Sequence, residues 1–584
     1  MSSVRLTTRL VLLGASVVAP SLLSAQSAQK TRPANHAAAT TTTELPRTYV
    51  GKPTTAAITA ADLMTRLYIF ADDSMMGRQV GTEYNLKGTA YIEREVRRLG
   101  LVPAGDSGTY FQNIPLFSYA ADTTMMVHLG TEMLTFGTDY FPFARAERRV
   151  ALDGTPVIFG GSAADTTTWI SGDQAAGKVV VLTLPSSANW FRNALFSPAA
   201  ARFGRAAAVM PVWLDRIPAN VRPYFAHSTA LRVDGAPPAG PLAAFITPRV
   251  ATLLFGNLDS LKAGAAGTPM SGDMAVHQSQ APGRNVVAIL PGSDPALKGE
   301  YVAIGAHNDH IGYNARPVDH DSIRVFNMVM RPQGADSPQG GPPSAEQATR
   351  MKTMVDSLHA LHGARKDSIS NGADDDGSGT VSVLEIAESF AKAKVRPKRS
   401  LLFVWHTGEE AGLYGSQHYT DHPTVPRDSI VAQLNMDMVG RGAAADITGE
   451  TKEHAPLHGG PGYLQLVGSR RLSTELGDLI EKVNADKHLG MKFDYGMDAN
   501  GHPQNIYCRS DHYEYARYGI PIVFFTTGGH SDYHQVTDEP QYIDYPHMAQ
   551  VATLVHDAAW TVANLDHRVV VDKVKPDPKG RCVQ

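Results

Sequence analysis

From about residue 285 onward, short apolar runs alternate with longer amphipathic segments. The runs lack polar alternation, which is typical of strands buried on both faces. The amphipathic segments have apolar residues at helical spacing. This alternation predicts an α/β fold with a mixed, mostly parallel sheet and helices on both faces. The predicted strands are 286–290, 301–304, 401–405, 431–435 and 520–525, and the predicted helices are 379–393, 472–488 and 546–565.

The chain before residue 283 has a different pattern. Residues 60–100 predict a helix in two pieces, because Ile92, Val96 and Leu99 have roughly helical spacing and Gly100 fits a C-terminal stop. From 118 to 282, short β-rich runs separated by Gly, Pro and Ala predict a separate β-rich insert. Its runs are 157–159, 179–184 and 207–212.

A long segment, 314–370, interrupts the α/β alternation. Its first part is predicted to be a loop. Its second part is predicted to be a helix capped by Ser344, because Gln347 stands at a capping-box spacing. The apolar residues that would then share one helix face are Ala348, Met351, Met354, Leu358 and Leu361.

The N-terminus is typical of a secretory signal peptide. Arg5 and Arg9 accompany a short apolar run over 10–18, and Ser24-Ala25 offers small residues for cleavage. The run is short for a transmembrane span, although an uncleaved anchor is the alternative. The segment that follows, to about residue 50, predicts a flexible leader. We therefore expect a secreted or periplasmic protein with no membrane segment beyond the signal peptide.

Composition adds limits rather than a function. A chain of 584 residues predicts two or more packed units, and 43% hydrophobic with 19% charged residues is typical of a globular protein. The net charge of -4, without a clustered Lys/Arg run, gives no reason to expect a nucleic-acid partner. Two cysteines, Cys508 and Cys582, are too few for a disulfide scaffold, and both the paired and the unpaired state remain open.

Five short segments place acids or histidines in loops, most of them directly after predicted strands. Ligands of open α/β sheets gather at the carboxyl ends of strands, so the five segments are candidates for one site. Taken singly, each has an ordinary explanation, such as a polar strand end or an acidic helix N-terminus. The segments are GAHND at 305–309, GADDDGSG at 372–379, HTGEEAGLYGS at 406–416, NMDMVG at 435–440 and SDYHQVTD at 531–538.

The residue types in these segments indicate a bound cation. Alternate side chains of a strand end point the same way, so Asp309 can accept the second ring N–H of His307. Three successive acids beginning at Asp374 repel one another unless a cation is present. Glu409 and Glu410 follow a strand that should be buried, where unpaired carboxylates are expensive. A metal compensates one glutamate, and a metal-bound water gives the other a proton to take.

The order, spacing and flanking glycines of the segments resemble the co-catalytic di-zinc aminopeptidase family. That family includes bacterial leucyl-type aminopeptidases, glutamate carboxypeptidase II and the non-peptidase transferrin receptors. The segments 75–85 and 110–116 resemble its N-terminal opening, and the β-rich insert resembles its protease-associated domain. The resemblance implies a zinc exopeptidase fold of the phosphorylase/hydrolase-like type. The implied divisions are a signal peptide at 1–25, a leader at 26–50, peptidase residues 51–117, the insert at 118–282, the catalytic domain at 283–566 and a tail at 567–584.

The resemblance also implies the ligands of two Zn²⁺ ions per chain, for which Co²⁺ or Mn²⁺ are candidate substitutes. Asp375 would bridge the two ions. His307 and Asp437 would complete one site, and Glu410 and His534 would complete the other. The remaining histidines near the segments match no ligand position and are expected to be hydrogen-bonded or solvent-facing, with His310 the closest competitor in a His-x-x-His spacing.

The implied function is a secreted metallo-aminopeptidase that hydrolyses the N-terminal bond of peptides. Glu409 would be the general base, Asp309 would orient His307, and Tyr533 would help to stabilise the oxyanion. The alternatives are a carboxypeptidase or glutaminyl cyclase of the same superfamily, or a non-catalytic receptor-like protein. The insertion at 314–370 is hypothesised to be a lid or to restrict the site to short peptides. The preferred N-terminal residue and the oligomeric state stay open.

Overall fold

The described residues divide into two compact units. This computed structural model describes residues 45–584 with gaps at 144–145, 164, 185–197, 217–229, 234–239, 259–260, 332–333, 335–336, 338–340, 443–447 and 454. The predicted signal peptide and most of the predicted leader lie outside the described residues. One unit comprises the described residues up to Ile114 together with Pro282–Gln584, and the other comprises Pro115–Ala281.

The first unit is built on a mixed sheet of nine strands among the described residues. These strands are β1 (Val102–Pro103), β2 (Phe111–Asn113), β3 (Arg284–Leu290), β4 (Tyr301–His307), β5 (Ser400–His406), β6 (Ile430–Met436), β7 (Tyr463–Val467), β8 (Lys492–Asp494) and β9 (Ile522–Thr526). The order across the sheet is β1-β3-β5-β4-β6-β9-β7-β8, and β2 pairs with β3. The central strands β5, β4, β6 and β9 are parallel to one another. Strand β3 pairs antiparallel with β5 on one side, and β7 pairs antiparallel with β9 on the other.

Helices cover both faces of this sheet. The helices described in this unit are α1 (Ala60–Phe70), α2 (Glu83–Arg98), α3 (His320–Met330), α4 (Ala345–His362), α5 (Gly379–Lys392), α6 (Tyr414–Asp421), α7 (Thr474–Asp486), α8 (His512–Ala516) and α9 (Tyr545–Asn564). Of these, α3 and α4 belong to the insertion, and α4 has no buried residue. Alternate residues of a strand enter different cores: Val286 packs with residues of α1, α2, α5, α7 and α9, whereas Val287 packs with residues of α6 and α8. The predicted α/β class, with helices on both faces, is confirmed.

The insertion contains more regular structure than its sequence predicts. The loop predicted for its first part is wrong, because Tyr313–Asp319 pairs with Lys366–Ile369 and α3 follows directly. The helical pattern of α3 is hidden because its buried positions include polar residues such as Asn327, while Phe326 and Met328 are exposed. The predicted helix and its capping box are both present in α4.

The second unit has its own sheet of ten described strands. They are Leu116–Ala121, Val127–Leu129, Glu132–Leu134, Tyr140–Pro142, Arg148–Ser162, Val179–Thr183, Ala208–Pro211, Ala230–Val233, Leu242–Ile246 and Ala266–Ala281. The three β-rich runs identified in the sequence fall in parallel neighbours of this sheet. Short helices cover Gly172–Ala175 and Pro248–Phe255. The assignment of this unit as a protease-associated domain stays a prediction.

Two further features are a disulfide and the properties of the helices. Cys508 and Cys582 form a disulfide across a sequence separation of 74 residues, which decides between the two states that the sequence leaves open. In the part of the chain that the structure describes, every helix is too short or too polar to cross a membrane.

Candidate metal centre

The candidate metal centre lies at the carboxyl ends of the central parallel strands. His307 is the last residue of β4, and Asp437 directly follows β6. Glu410 lies in the loop after β5, and His534 lies in the loop after β9. Asp375 lies in the tight turn that precedes α5. Because parallel strands end at one edge of a sheet, the loops of four predicted ligands meet there, and the turn before α5 adds Asp375.

The side chains form two groups that share Asp375. His307 Nε2 lies 3.2 Å from Asp375 Oδ1 and 3.7 Å from Asp437 Oδ1. His534 Nε2 lies 3.1 Å from Asp375 Oδ2 and 3.0 Å from Glu410 Oε2. Asp375 therefore presents one oxygen to each group, as a bridging carboxylate must.

His310 is a member of the second group that sequence reasoning left aside. Its Nδ1 lies 2.7 Å from Glu410 Oε1 and 3.8 Å from Asp375 Oδ2, and its side chain is fully buried. It can therefore offer a further imidazole beside Glu410. The sequence did offer one indication of this: His310 follows His307 by three residues and so lies just beyond the end of the same strand.

The donor atoms fit a metal cation. Buried polar atoms without a hydrogen-bond partner are expensive, and several of them converge at this centre. A divalent cation would satisfy these atoms, and a set of imidazoles and carboxylates suits zinc. The atoms are His307 Nε2, His310 Nδ1 and Nε2, Asp375 Oδ2, Glu410 Oε1 and His534 Nε2.

The three successive acids have three separate environments. All are buried, which rules out a solvated acidic turn. The carboxylate of Asp374 accepts a hydrogen bond from the N–H of Gly440 at 2.6 Å. The carboxylate of Asp376 accepts three backbone N–H bonds, so Asp375 alone faces both histidine groups. The donors to Asp376 are the N–H groups of His307 at 3.0 Å, Gly379 at 2.9 Å and Met438 at 3.2 Å.

Two buried side chains hold the loops around these acids. The carboxylate of Asp538 accepts the backbone N–H groups of Asp374 at 3.0 Å and Asp375 at 3.1 Å. The guanidinium of Arg78, from the segment that resembles the family's N-terminal opening, donates to four backbone carbonyls of the described residues. Its acceptors are Phe70, Asn308, Asn371 and Gly372. Arg78 thus joins the loop after β4 to the turn that carries Asp375.

Electrostatic coupling within the centre is strong. Burial by itself lowers the pKa of His534, but the Glu410 and Asp375 carboxylates outweigh it and raise that pKa to about 11. Burial and Asp375 raise the pKa of Glu410, but the His534 and His310 imidazoles bring it down to about 2. The carboxylates therefore stabilise a protonated His534, and a metal cation has to displace that proton when it binds.

Glu409 has the opposite environment from its neighbour Glu410. Burial raises the pKa of Glu409 well above its ordinary value, and Asp437 and Glu410 add to the rise against the opposing effect of His307. Its backbone N–H donates to Asp309 Oδ1 at 3.2 Å. Glu409 is thus a carboxyl group that holds a proton readily next to the candidate metal ligands.

Asp309 contacts His307 in a different way from the one predicted. His307 Nδ1 is 3.1 Å from the backbone carbonyl of Asp309 but 3.6 Å from its carboxylate. The carbonyl is therefore the hydrogen-bond acceptor for the ring, while the carboxylate holds the N–H of Glu409. Tyr533 stacks on the ring of His534 with centroids 3.8 Å apart, and burial raises the pKa of its hydroxyl well above the ordinary value.

Ser510, which lies outside the five segments, also orients a candidate ligand. Ser510 Oγ donates to Asp437 Oδ2 at 2.6 Å, and Asn435 Nδ2 donates to Ser510 Oγ at 3.2 Å. These two hydrogen bonds fix the carboxylate of Asp437 from the side away from His307. The spacing of Ser510 along the sequence does not indicate which strand end it meets.

The insertion holds the loop of His534 through Asp532. The carboxylate of Asp532 is fully buried and accepts Asn327 Nδ2 at 2.9 Å and Arg324 Nη1 at 2.8 Å, both from α3. Arg441 and Thr537 donate to the same carboxylate, each at 2.8 Å. Asp532 stands two residues before His534, so α3 supports a candidate metal ligand.

Comparison with known proteins identifies relatives of this chain. Residues 285–559 match the family model of Peptidase family M28. Leucine aminopeptidase 1 of Aspergillus fumigatus is 28% identical over 202 residues, which is 33% of this chain and 47% of that protein. The chain thus spans about half the length of the curated relatives it matches.

Two solved structures are similar to this chain. An aminopeptidase from Aneurinibacillus sp. strain AM-1 has 17% identity and a TM-score of 0.46, covering 88% of this chain and 97% of that one. A zinc aminopeptidase from Bacillus subtilis has 16% identity and a TM-score of 0.46, covering 87% and 95%.

Proposed function

Because residues 285–559 match the family model of Peptidase family M28, we propose that the protein is a zinc-dependent aminopeptidase that removes the N-terminal residue of peptides. The observation that carries this proposal is the pair of ligand groups sharing Asp375 at the carboxyl ends of parallel strands. The curated relative named leucine aminopeptidase supports the choice of the N-terminal bond.

The proposed cofactor is two Zn²⁺ ions per chain, with Co²⁺ or Mn²⁺ as substitutes that the same donors accept. His307 and Asp437 would hold one ion, and Glu410 and His534 would hold the other, with Asp375 between them. His310 is near enough to Glu410 to join the second group. When bound, zinc polarises a peptide carbonyl and makes water a stronger acid.

The proton is carried by Glu409 in this proposal. Its carboxylate takes a proton from the attacking water and returns it to the leaving amine. The raised pKa of Glu409 supports this role, because a carboxyl group that titrates nearer neutrality can both accept and donate. Asp309 positions Glu409 because its carboxylate accepts the backbone N–H of Glu409. The Tyr533 hydroxyl, which keeps its proton, would donate to the developing oxyanion.

A substrate panel tests the reaction class. The panel contains aminoacyl nitroanilides with a free amine, the same compounds with an acetylated amine, N-blocked peptides with a free carboxylate, and peptides that begin with glutamine. We expect hydrolysis of the free-amine compounds alone, loss of that activity with a chelator, and recovery with zinc. Release of C-terminal residues would identify a carboxypeptidase, and cyclisation without hydrolysis would identify a glutaminyl cyclase.

The variant Glu409→Gln tests the assignment of the base. We expect it to keep the zinc content of the wild-type protein and to lose about 10²- to 10⁴-fold in kcat, because the proton carrier is gone. The matched control is Glu453→Gln, which changes an exposed glutamate and should leave kcat unchanged. Wild-type kcat in Glu409→Gln would refute the assignment, whereas lost zinc would show that Glu409 is a ligand.

We also propose an extracytoplasmic location. Disulfides persist in oxidising compartments, so the Cys508–Cys582 bond supports the signal peptide predicted from the sequence. Sequencing the N-terminus of protein recovered from the periplasm or medium checks this: cleavage near residue 25 is expected, and retention in the cytoplasm would contradict it.

A further inference from the structure

A third group of acidic and imidazole side chains lies in the insertion. We call Asp319, Asp321 and His359 the insertion cluster. Asp319 occupies the N-cap position of α3, Asp321 lies in the first turn of α3, and His359 lies in the last turn of α4. Their ligand atoms all lie within 4.8 Å of one another. The chain turns back on itself to bring these two helix ends together.

The geometry of the insertion cluster matches that of the first group in the candidate metal centre. His359 Nε2 lies 3.2 Å from Asp319 Oδ1 and 3.6 Å from Asp321 Oδ2. The corresponding distances from His307 Nε2 to its two carboxylates are 3.2 Å and 3.7 Å. In both places, one imidazole nitrogen faces two carboxylate oxygens from different positions of the chain.

A buried oxygen in the insertion cluster has no hydrogen-bond partner among the described residues. Asp321 is only 4% exposed, and its Oδ2 accepts no hydrogen bond although it points at His359. Its other oxygen lies 3.4 Å from His320 Nδ1. An unsatisfied buried carboxylate oxygen is costly, and a cation bound between the three side chains would satisfy it.

Helix capping alone does not explain the cluster. Acids at a helix N-terminus are stabilised by the helix dipole, which accounts for Asp319 and Asp321. The Asp319 side chain makes no capping hydrogen bond to the backbone, however, and turns towards Ser322 and His359 instead. A second imidazole, His362, also approaches, with Nδ1 3.9 Å from Asp321 Oδ2.

We propose that the insertion cluster binds a third divalent transition-metal ion, of the class of zinc. Two carboxylates and one imidazole suit Zn²⁺, Co²⁺ or Mn²⁺ and leave room for solvent in the coordination shell. The ion would fasten α3 to α4. Because Arg324 and Asn327 of α3 hold Asp532, the ion would also stabilise the loop that carries His534. The role of the ion is structural, and its binding does not require the proposed peptidase reaction.

Metal counting on the full-length protein tests this proposal. Each protein is loaded with zinc and freed of excess metal by gel filtration, and its zinc is measured by mass spectrometry. The variant His359→Gln keeps a hydrogen-bond donor near the Nε2 position but removes the imidazole ligand. We expect it to hold one zinc equivalent fewer than the wild-type protein. Asp319→Asn, which changes a half-buried carboxylate, should lose the same zinc equivalent. Agreement between the two variants would show that the loss does not come from misfolding of one of them.

The matched control is Asp356→Asn, which changes an exposed carboxylate of α4 that pairs with Lys352. It should keep the wild-type zinc count. Equal zinc in wild type, His359→Gln and Asp319→Asn would overturn the proposal and leave the cluster as an ion pair only. Because the readout is a difference between variants, it stands even when the peptidase assay fails.

Discussion

Asn327 offers a sharp test of how far the insertion supports the metal centre. Its buried amide donates to Asp532 Oδ1 and to Gln535 Oε1, both at 2.9 Å, on the two sides of His534 in the sequence. The variant Asn327→Ala removes both bonds and leaves Asp532 with Arg324, Arg441 and Thr537. The loop that carries His534 should then be held less rigidly, while Arg324 and Arg441 still compensate the charge of Asp532.

The magnitude follows from the two bonds. A hydrogen bond to a charged carboxylate contributes about 1.5–3 kcal/mol and one to a neutral amide about 0.5–1.5 kcal/mol, so the free energy of unfolding should fall by about 2–4 kcal/mol. Support of a metal ligand by its hydrogen-bond partners is typically worth about 10- to 100-fold in metal affinity. We therefore expect zinc bound by His534 to be released about 10- to 100-fold more readily.

The assay is competition for zinc with a chromophoric chelator, combined with kcat on a free-amine substrate. The control is Met328→Ala, which removes a larger but 57% exposed side chain from the next position of α3 and should change stability by less than about 0.5 kcal/mol. Wild-type zinc affinity and kcat in Asn327→Ala would refute the idea that α3 positions His534, even if the variant unfolds more easily.

Three further predictions follow from the fold and its charges. The pKa of His534 is raised to about 11, so its proton competes with zinc at every lower pH. Zinc affinity should therefore rise with pH, by about tenfold per pH unit for each proton displaced. A zinc affinity that does not change between pH 6 and 8 would contradict this. Arg78→Met should lower the free energy of unfolding by about 3 kcal/mol or more, because it leaves buried backbone carbonyls unpaired, whereas the exposed Arg350→Met should have little effect in the same thermal melt. Replacement of Cys508 and Cys582 by serine should cost about 4 kcal/mol in urea unfolding, since the bond closes a loop of 74 residues, and an unchanged midpoint would show that the bond adds no stability.

The central sheet could be predicted because its strands are buried on both faces. Five of the nine main-sheet strands have apolar runs long enough to identify, and each ligand-bearing segment follows or precedes a recognisable element. The other four strands have no such run: β1, β2 and β8 have only two or three residues each, and β7 carries the polar Gln465 at its centre. Short edge strands of this kind are defined by their neighbours more than by their own pattern.

The supporting residues of the site could not be predicted from local sequence. Arg324 and Asp532 are separated by 208 positions, and their contact depends on how the insertion folds back onto the sheet. His310 shows the converse case: its position beside His307 was visible, but only the structure shows that its ring turns towards Glu410. Order along the chain indicates which strand ends meet, whereas side-chain direction beyond those ends depends on tertiary packing.

The position of His534 after the last strand of the sheet has a consequence for biosynthesis. The ligands come from loops that the ribosome makes in the order 307, 375, 410, 437 and 534. A growing or truncated chain that ends before residue 534 can complete only the group of His307, Asp375 and Asp437. The full set of candidate ligands therefore exists only once the chain has been made beyond residue 534, and a fragment that ends earlier would lack the complete centre.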